Sequence, residues 1–489
     1  MKLLALDQGT TSTRAVLLTP EGRTEILASR THRQHHPQPG WVEHDPLELL
    51  AHLKDCLAAG VAVGAGAAGL ANQGESCLGW DAETGVPVGP VIVWQDSRTA
   101  DVIAEMAAAG LGPEVMARAG LPLDAYFSAA KLGWILRHNP VAATLAARGR
   151  LCLGTTDAWF RWQLTGRFET DVTTAARTSL MNLGTCDWDP ELCRIFGVPM
   201  QALPRITASS GDLGVLAPGL PLTASLTDQQ AALYGHGCRV PGDAKVTFGT
   251  GAFALAVTEK PRAHCEGPLQ TLAWQRAGQP PVYALDAGVT TAAAAVNWAR
   301  DLGLFGTFSE INQFEAPAAI DRGLVFVPAL AGLGCPHWDR SARGGWLGMT
   351  LASGPRDLMQ ALLEGVALRM AEALAAIATV QPLSGPISVD GGMAANDYMM
   401  QFLADCSGQT LMLSDQNERT AIGAALMAGE ICGAVPRVQE QRRRIEPQAE
   451  GGARLARFAR ARALIGHWGE GDATAGGAGA DGNLPGTGD

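Results

Sequence analysis

Leu3-Leu4-Ala5-Leu6-Asp7-Gln8-Gly9-Thr10-Thr11-Ser12-Thr13-Arg14-Ala15-Val16-Leu17-Leu18-Thr19 opens the chain and decides how the rest is read. Two short apolar runs, 3–6 and 15–19, flank a turn rich in glycine and threonine, which predicts two strands joined as a hairpin. Such a turn aims several backbone N–H groups in one direction and makes a nest for anionic oxygens. The threonine hydroxyls and the forked, permanently charged guanidinium of Arg14 add further donors. Asp7, at the end of the first strand, stands where a carboxylate suits Mg²⁺ beside those oxygens. One hairpin alone is as well explained by an ordinary turn whose amides Asp7 satisfies.

A second unit of the same make-up lies midway. Lys245-Val246-Thr247-Phe248 runs into Gly249-Thr250-Gly251, and 252–257 leads out. Two such hairpins, one per half, predict a duplicated core with one phosphate-facing turn in each copy. Pro241-Gly242-Asp243 marks the boundary, giving domains of 1–240 and 241–465. Helical patterns accompany the strands. Asp45 and Pro46 read as the N-cap and first residue of a helix over 45–59, and seven apolar residues from Met359 to Ile377 share one face of a helix over 357–378. Alternating strands and helices define an α/β class. The segment 469–489, rich in Gly, Ala and Asp, reads as a disordered tail. Gly64-Ala65-Gly66-Ala67-Ala68-Gly69 matches GxGxxG by letter, but a helix precedes it and a strand follows. That order is the reverse of a dinucleotide turn, so the segment reads as a plain connection.

The bulk properties narrow the class. A chain of 489 residues exceeds what one core supports, and 47% apolar with 17% charged residues fits a compact enzyme. A net charge of −11 without a basic block argues against a nucleic-acid surface. Ten scattered cysteines with no CxxC pair read as reduced thiols of a cytoplasmic protein. Asp7 interrupts the N-terminus too early for a signal peptide, and the longest uncharged run, 58–72, is too short to span a bilayer. His32, His35 and His36, in a polar Gln/Pro-rich stretch, are expected as exposed loop residues. Cys77 and Cys335 are expected as inert buried thiols, and Trp338 as packing.

The opening stretch, together with Pro39-Gly40-Trp41-Val42-Glu43-His44-Asp45-Pro46, Val93-Trp94-Gln95, Asp124-Ala125-Tyr126-Phe127-Ser128, Asp228-Gln229-Gln230-Ala231-Ala232-Leu233, Phe248-Gly249-Thr250-Gly251, Gly332-Leu333-Gly334-Cys335-Pro336-His337-Trp338-Asp339 and Val389-Asp390-Gly391-Gly392-Met393-Ala394-Ala395-Asn396, resembles the FGGY family of carbohydrate kinases, and within it the glycerol kinases. The blocks follow family order from about residue 3 to about 460. The resemblance implies two ribonuclease-H-like domains of the actin and hexokinase superfamily, with ATP, Mg²⁺ and a small polyol or sugar in the cleft between them. It implies Asp228 as general base, and Asp7 with Asp228 as metal ligands. Thr10, Thr11, Ser12, Arg14, Thr250, Gly251 and Ala293 would serve the nucleotide, with Gly392 and Asn396 near the adenosine. Glu75, Trp94, Tyr126, Gln229, Phe253 and Gly74 would line the substrate site. A homo-oligomer, dimer or tetramer, is implied on the same ground.

Two departures from the glycerol-kinase pattern carry expectations of their own. Asn72-Gln73-Gly74-Glu75 places glycine where those enzymes carry a substrate-holding arginine. Losing that donor costs about 1–3 kcal/mol of binding unless Arg98 or Ser97 replaces it, or a longer polyol or ketose (erythritol, xylitol, xylulose) fills the space. The stretch 217–227 contains no Arg or Lys, so inhibition by fructose 1,6-bisphosphate, which some relatives show, is not expected. An ATPase of the actin or chaperone type remains the rival reading, because fold alone does not fix function.

Overall fold

The computed structural model describes residues 1–216, 219–261 and 267–475. Each half is built on a mixed sheet laid out by one plan. In the first, Leu3–Gln8 pairs antiparallel with Ser12–Leu18, which pairs antiparallel with Thr24–Thr31. On its other side Leu3–Gln8 runs parallel to Ala67–Asn72, and that strand parallel to Leu220–Thr227. The second half repeats the order: Val282–Val289, Ala252–Thr258, Ala244–Phe248, Ile387–Asp390, Leu411–Ser414. The five-strand core is therefore duplicated, and each copy places its glycine turn at the same corner. The strands are apolar on both faces because helices cover both: Leu3 to Leu6 are at most 1% exposed.

The expected helices form where the sequence places them. Pro46–Ala62 starts on Asp45, whose carboxylate accepts from the Leu47 amide, and Pro355–Val380 buries the Met359–Ile377 face. Residues 64–66 connect a helix to the strand Ala67–Asn72. Gly69 in that strand serves packing, since a Cβ there would lie 2.3 Å from the Ala424 carbonyl oxygen. The helix Gly452–Ala475 runs into the first residues of the segment 469–489. Extending an existing helix costs far less than starting one. Residues 476–489 lie outside the described residues, as do Ala217 and Pro218 at the start of 217–227.

Two helices join the halves. Asp228–Gly235 ends the first sheet's last strand, and Arg419–Ile431, from the second half, crosses it and packs on the strand Ala67–Asn72. The crossing requires glycine. A Cβ on Gly423 would stand 1.7 Å from the Ala231 carbonyl oxygen, and one on Gly235 would stand 2.1 Å from that of Arg419. The apolar core at this junction mixes both halves, with Leu3 and Leu226 beside Ile422 and Met427.

Candidate active site

Between the halves lies a cavity of about 200 Å³, lined in part by Thr10, Gly74, Glu75, Trp94, Tyr126, Asp228, Gln229, Thr250, Gly251 and Phe253. A second cavity of about 580 Å³ lies in the C-terminal half, lined in part by Ala293, Asn297, Leu363, Gly392 and Asn396. Phe248 borders the second, and Gly249 and Thr250 border both. The second glycine turn is thus the partition between them.

The strand ends set the acids. Asp7 is the last residue but one of Leu3–Gln8. Burial, then the neighbouring carboxylates of Asp228 and Glu418, push its pKa up to about 7 against the pull of Arg14. Asp228 is the first residue of its helix rather than the N-cap, which is Thr227. Its Oδ1 accepts from the Gln229 amide at 2.6 Å. Burial first, and Glu75 second, push Asp228 up to about 6, while that amide, Lys245 and Arg177 oppose the rise. Lys245 is fully buried and donates to Gln229 Oε1 at 2.5 Å and Thr247 Oγ1 at 2.9 Å. It fixes the residue beside Asp228 and joins it to the strand that feeds the second turn.

Glu75 adopts φ +59°, and the Ser76 amide reaches back to the Gly74 carbonyl at 2.7 Å. This three-residue turn ends the strand Ala67–Asn72 and turns the Glu75 carboxylate into the cavity, a strained conformation of the kind that gathers at functional sites. Trp94 donates from Nε1 to Thr10 Oγ1 at 2.9 Å, tying this cavity wall to the first glycine turn, and meets Tyr126 edge-on at 5.6 Å. Lys131, fully buried, donates to the backbone carbonyls of Tyr126 (2.7 Å) and Trp94 (3.3 Å). Replacing it with methionine should therefore raise KM for the compound bound in this cavity about tenfold while leaving KM for one bound in the larger cavity within twofold, since losing hydrogen bonds to a charged group costs about 1.5–3 kcal/mol. Initial-rate kinetics check this.

Arg177 was not among the residues singled out from sequence. It lines the cavity, and its Nε donates to Glu75 Oε1 at 2.6 Å. Asp286, also unanticipated, approaches its Nη1 at 3.1 Å from the other half of the chain. The cation beside Glu75 is therefore Arg177, and neither Arg98 nor Ser97 fills that place. Arg98 is locked between Asp96 and Glu43 at 2.7 Å each and stacks 3.7 Å over Trp41, and Ser97 is tied to the Gly40 carbonyl. The signal was local and weak: a lone arginine after Asp171-Val172-Thr173-Thr174-Ala175-Ala176.

Other expected residues fall as follows. Arg14 pairs with both carboxylate oxygens of Glu418 at 2.8 and 3.0 Å, and borders a separate polar cavity that also reaches Gly391 and Gly392. Thr11 is exposed, and the Ser12 carbonyl closes the first turn by accepting from Gly9. Asn396 caps the helix Asp397–Ser407 and donates to the Ile311 carbonyl. Gly391 is the glycine that the turn after the strand Ile387–Asp390 requires: its φ is +91°, and a Cβ would strike the Phe248 carbonyl at 2.2 Å. At Gly392 a Cβ meets open space. His32, expected to be exposed, is buried and bonded to Thr13 and His52, because the strand Thr24–Thr31 carries it against the helix Pro46–Ala62. Cys77 and Cys335 are buried, and burial pushes Cys77 up to about 12. Trp338 is 38% exposed and bonds the Gly267 carbonyl. No described helix is long and apolar enough to cross a membrane.

Two ribonuclease-H-like halves, each with a glycine turn at the cavity between them or beside it, define the actin–hexokinase fold class. The chain belongs to the FGGY family of carbohydrate kinases, which transfer a phosphoryl group to an alcohol: the family's N-terminal domain matches 2–235 and its C-terminal domain 244–430. Among its relatives, the chain is 44% identical to the glycerol kinase of Thermus brockianus, covering 88% of this chain and 90% of that one. It is 41% identical to the glycerol kinase of Aromatoleum aromaticum, over 95% and 98%. The glycerol kinase of Plasmodium falciparum, solved with ADP, superposes with a TM-score of 0.87 at 28% identity, over 95% and 98% of the two chains.

Proposed function

We propose that the protein transfers the γ-phosphoryl group of ATP to a hydroxyl of glycerol, giving glycerol 3-phosphate. The observation that supports this most strongly is the shared wall of the two cavities. Gly249 and Thr250 border both the cavity holding Asp228 and the larger apolar one suited to adenosine, so one nucleotide spans them with its terminal phosphate facing Asp228.

The alcohol lies between Trp94, Tyr126 and Phe253, its hydroxyls held by Glu75 and Asp228. Asp228 accepts the proton as the alcohol oxygen bonds to the γ-phosphorus and the bridging oxygen departs with ADP. Such transfer is mostly positioning and charge stabilisation. A carboxyl raised to about 6 is ionised at neutral pH yet basic enough to share a proton. Asp7 and Asp228 suit Mg²⁺. Among the described residues no cluster of three or more metal-type side chains exists, and Mg²⁺ needs none, because it keeps water and draws its other ligands from phosphate. Burial raises both carboxyls, and Asp228 adds to the rise at Asp7, so the pair is a donor set that a cation would relieve. Bound there with the nucleotide, the ion offsets charge on the phosphate oxygens.

The test is ADP production from MgATP with and without glycerol. Turnover dependent on glycerol, with stoichiometric glycerol 3-phosphate, is expected. ATP hydrolysis indifferent to every polyol would instead assign an ATPase of the actin type.

A further inference from the structure

The ion pair at one wall of the substrate cavity is incomplete. Arg177 gives Nε to Glu75, but its Nη1, although 3.1 Å from Asp286 Oδ2, is not aligned to donate and makes no hydrogen bond. The second oxygen of Asp286, Oδ1, is also without a partner. Arg177 is 6% exposed and Asp286 8%, and both line the cavity that contains Asp228. Burying a polar atom without a hydrogen-bond partner is costly. A ligand hydroxyl relieves both at once, because it accepts from Nη1 and donates to Oδ1. A carboxylate would face Asp286, Glu75 and Asp228 together and is disfavoured there.

A second observation concerns room. Gly74 lies on the same cavity wall with no positive φ to require glycine, and a Cβ there would meet nothing nearer than Thr227 Cγ2 at 3.5 Å. The wall at this position is open where any other residue would project.

We infer that Arg177 and Asp286 form a hydroxyl subsite separate from the one at which Asp228 meets the accepting alcohol. The enzyme therefore takes four-carbon polyols and ketoses as well as glycerol. This rests on the polyol-kinase reading above and names its substrate class. Glu75 orients the subsite through Arg177, and the second half of the chain contributes Asp286, so the subsite is complete only with the two halves together.

The experiment compares kcat/KM for glycerol, erythritol, threitol and erythrulose in the wild-type protein, Asp286→Asn and Gly74→Val. At least one four-carbon substrate is expected to come within about tenfold of glycerol or to exceed it. Both variants should lower the ratio of that substrate to glycerol by about tenfold, the scale of one lost contact or one obstructing group. If Asp286→Asn does not fold, thermal shift of the wild-type protein replaces it: the four-carbon polyol should raise Tm at least as much as equimolar glycerol. Every four-carbon substrate falling more than about tenfold below glycerol, a smaller thermal shift, or equal losses for both substrates in the variants would overturn the subsite while leaving the glycerol kinase reading intact. Failure to phosphorylate any polyol overturns both.

Discussion

Asp228→Asn lowers kcat by about 10²–10⁴-fold, the range for loss of a general acid or base, with KM for glycerol and ATP changed far less. Asparagine keeps the size and the acceptor that takes the Gln229 amide, so the helix Asp228–Gly235 retains its start while the proton acceptor is gone. In the unsubstituted protein kcat/KM should fall on the acid side with an apparent pKa near 6, where burial and Glu75 place the carboxyl, since the base must be ionised to work. In the variant that acid limb disappears from the residual activity. A variant that keeps more than a tenth of wild-type kcat would remove Asp228 from the chemistry.

Asp7→Asn lowers kcat by about 10²-fold, the scale for losing one preorganised charge-stabilising group, and raises stability in the metal-free protein at high pH. Asp7 is raised to about 7 in the folded chain, against about 3.9 for a free aspartate. The folded state therefore binds its proton more tightly than the unfolded state. Stability linked to Asp7 is fully present below the unfolded value and is lost as pH rises through about 7. Asparagine never ionises and escapes that loss. Thermal melts in EDTA should show the variant gaining over wild type between pH 5 and pH 8, with MgADP narrowing the gap. A gap independent of pH would mean that Asp7 is not a crowded acid awaiting a cation.

Much of this site is legible in the linear chain because its parts are local. A strand, a glycine turn and a strand occupy 16 consecutive residues from Leu3 to Leu18, and the same unit recurs from Ala244 to Thr258. Period and turn chemistry identify both. The helix at Asp45 is equally local, since the cap and Pro46 stand side by side. What escapes is assembled by distant contacts. Arg177 meets Glu75 across 102 positions and Asp286 from the other half of the chain, and no spacing rule links them. Arg98 illustrates the converse: it stands four residues from Trp94 in sequence, yet a cage of Asp96, Glu43 and Trp41 turns it to other work. Gly423 and Gly235 look dispensable in sequence, and only the crossing of two helices shows why neither tolerates a methyl group.

Phosphoryl transfer by this protein requires a nucleotide spanning the two turns opposite Asp228. A crystal structure with Mg²⁺, a non-hydrolysable ATP analogue and glycerol tests it most directly. The triphosphate should lie across Gly249–Gly251 and face the turn at 9–12, with one glycerol oxygen about 2.6–3.2 Å from the Asp228 carboxylate. A triphosphate bound elsewhere, or a glycerol whose hydroxyls all lie beyond reach of Asp228, would contradict it.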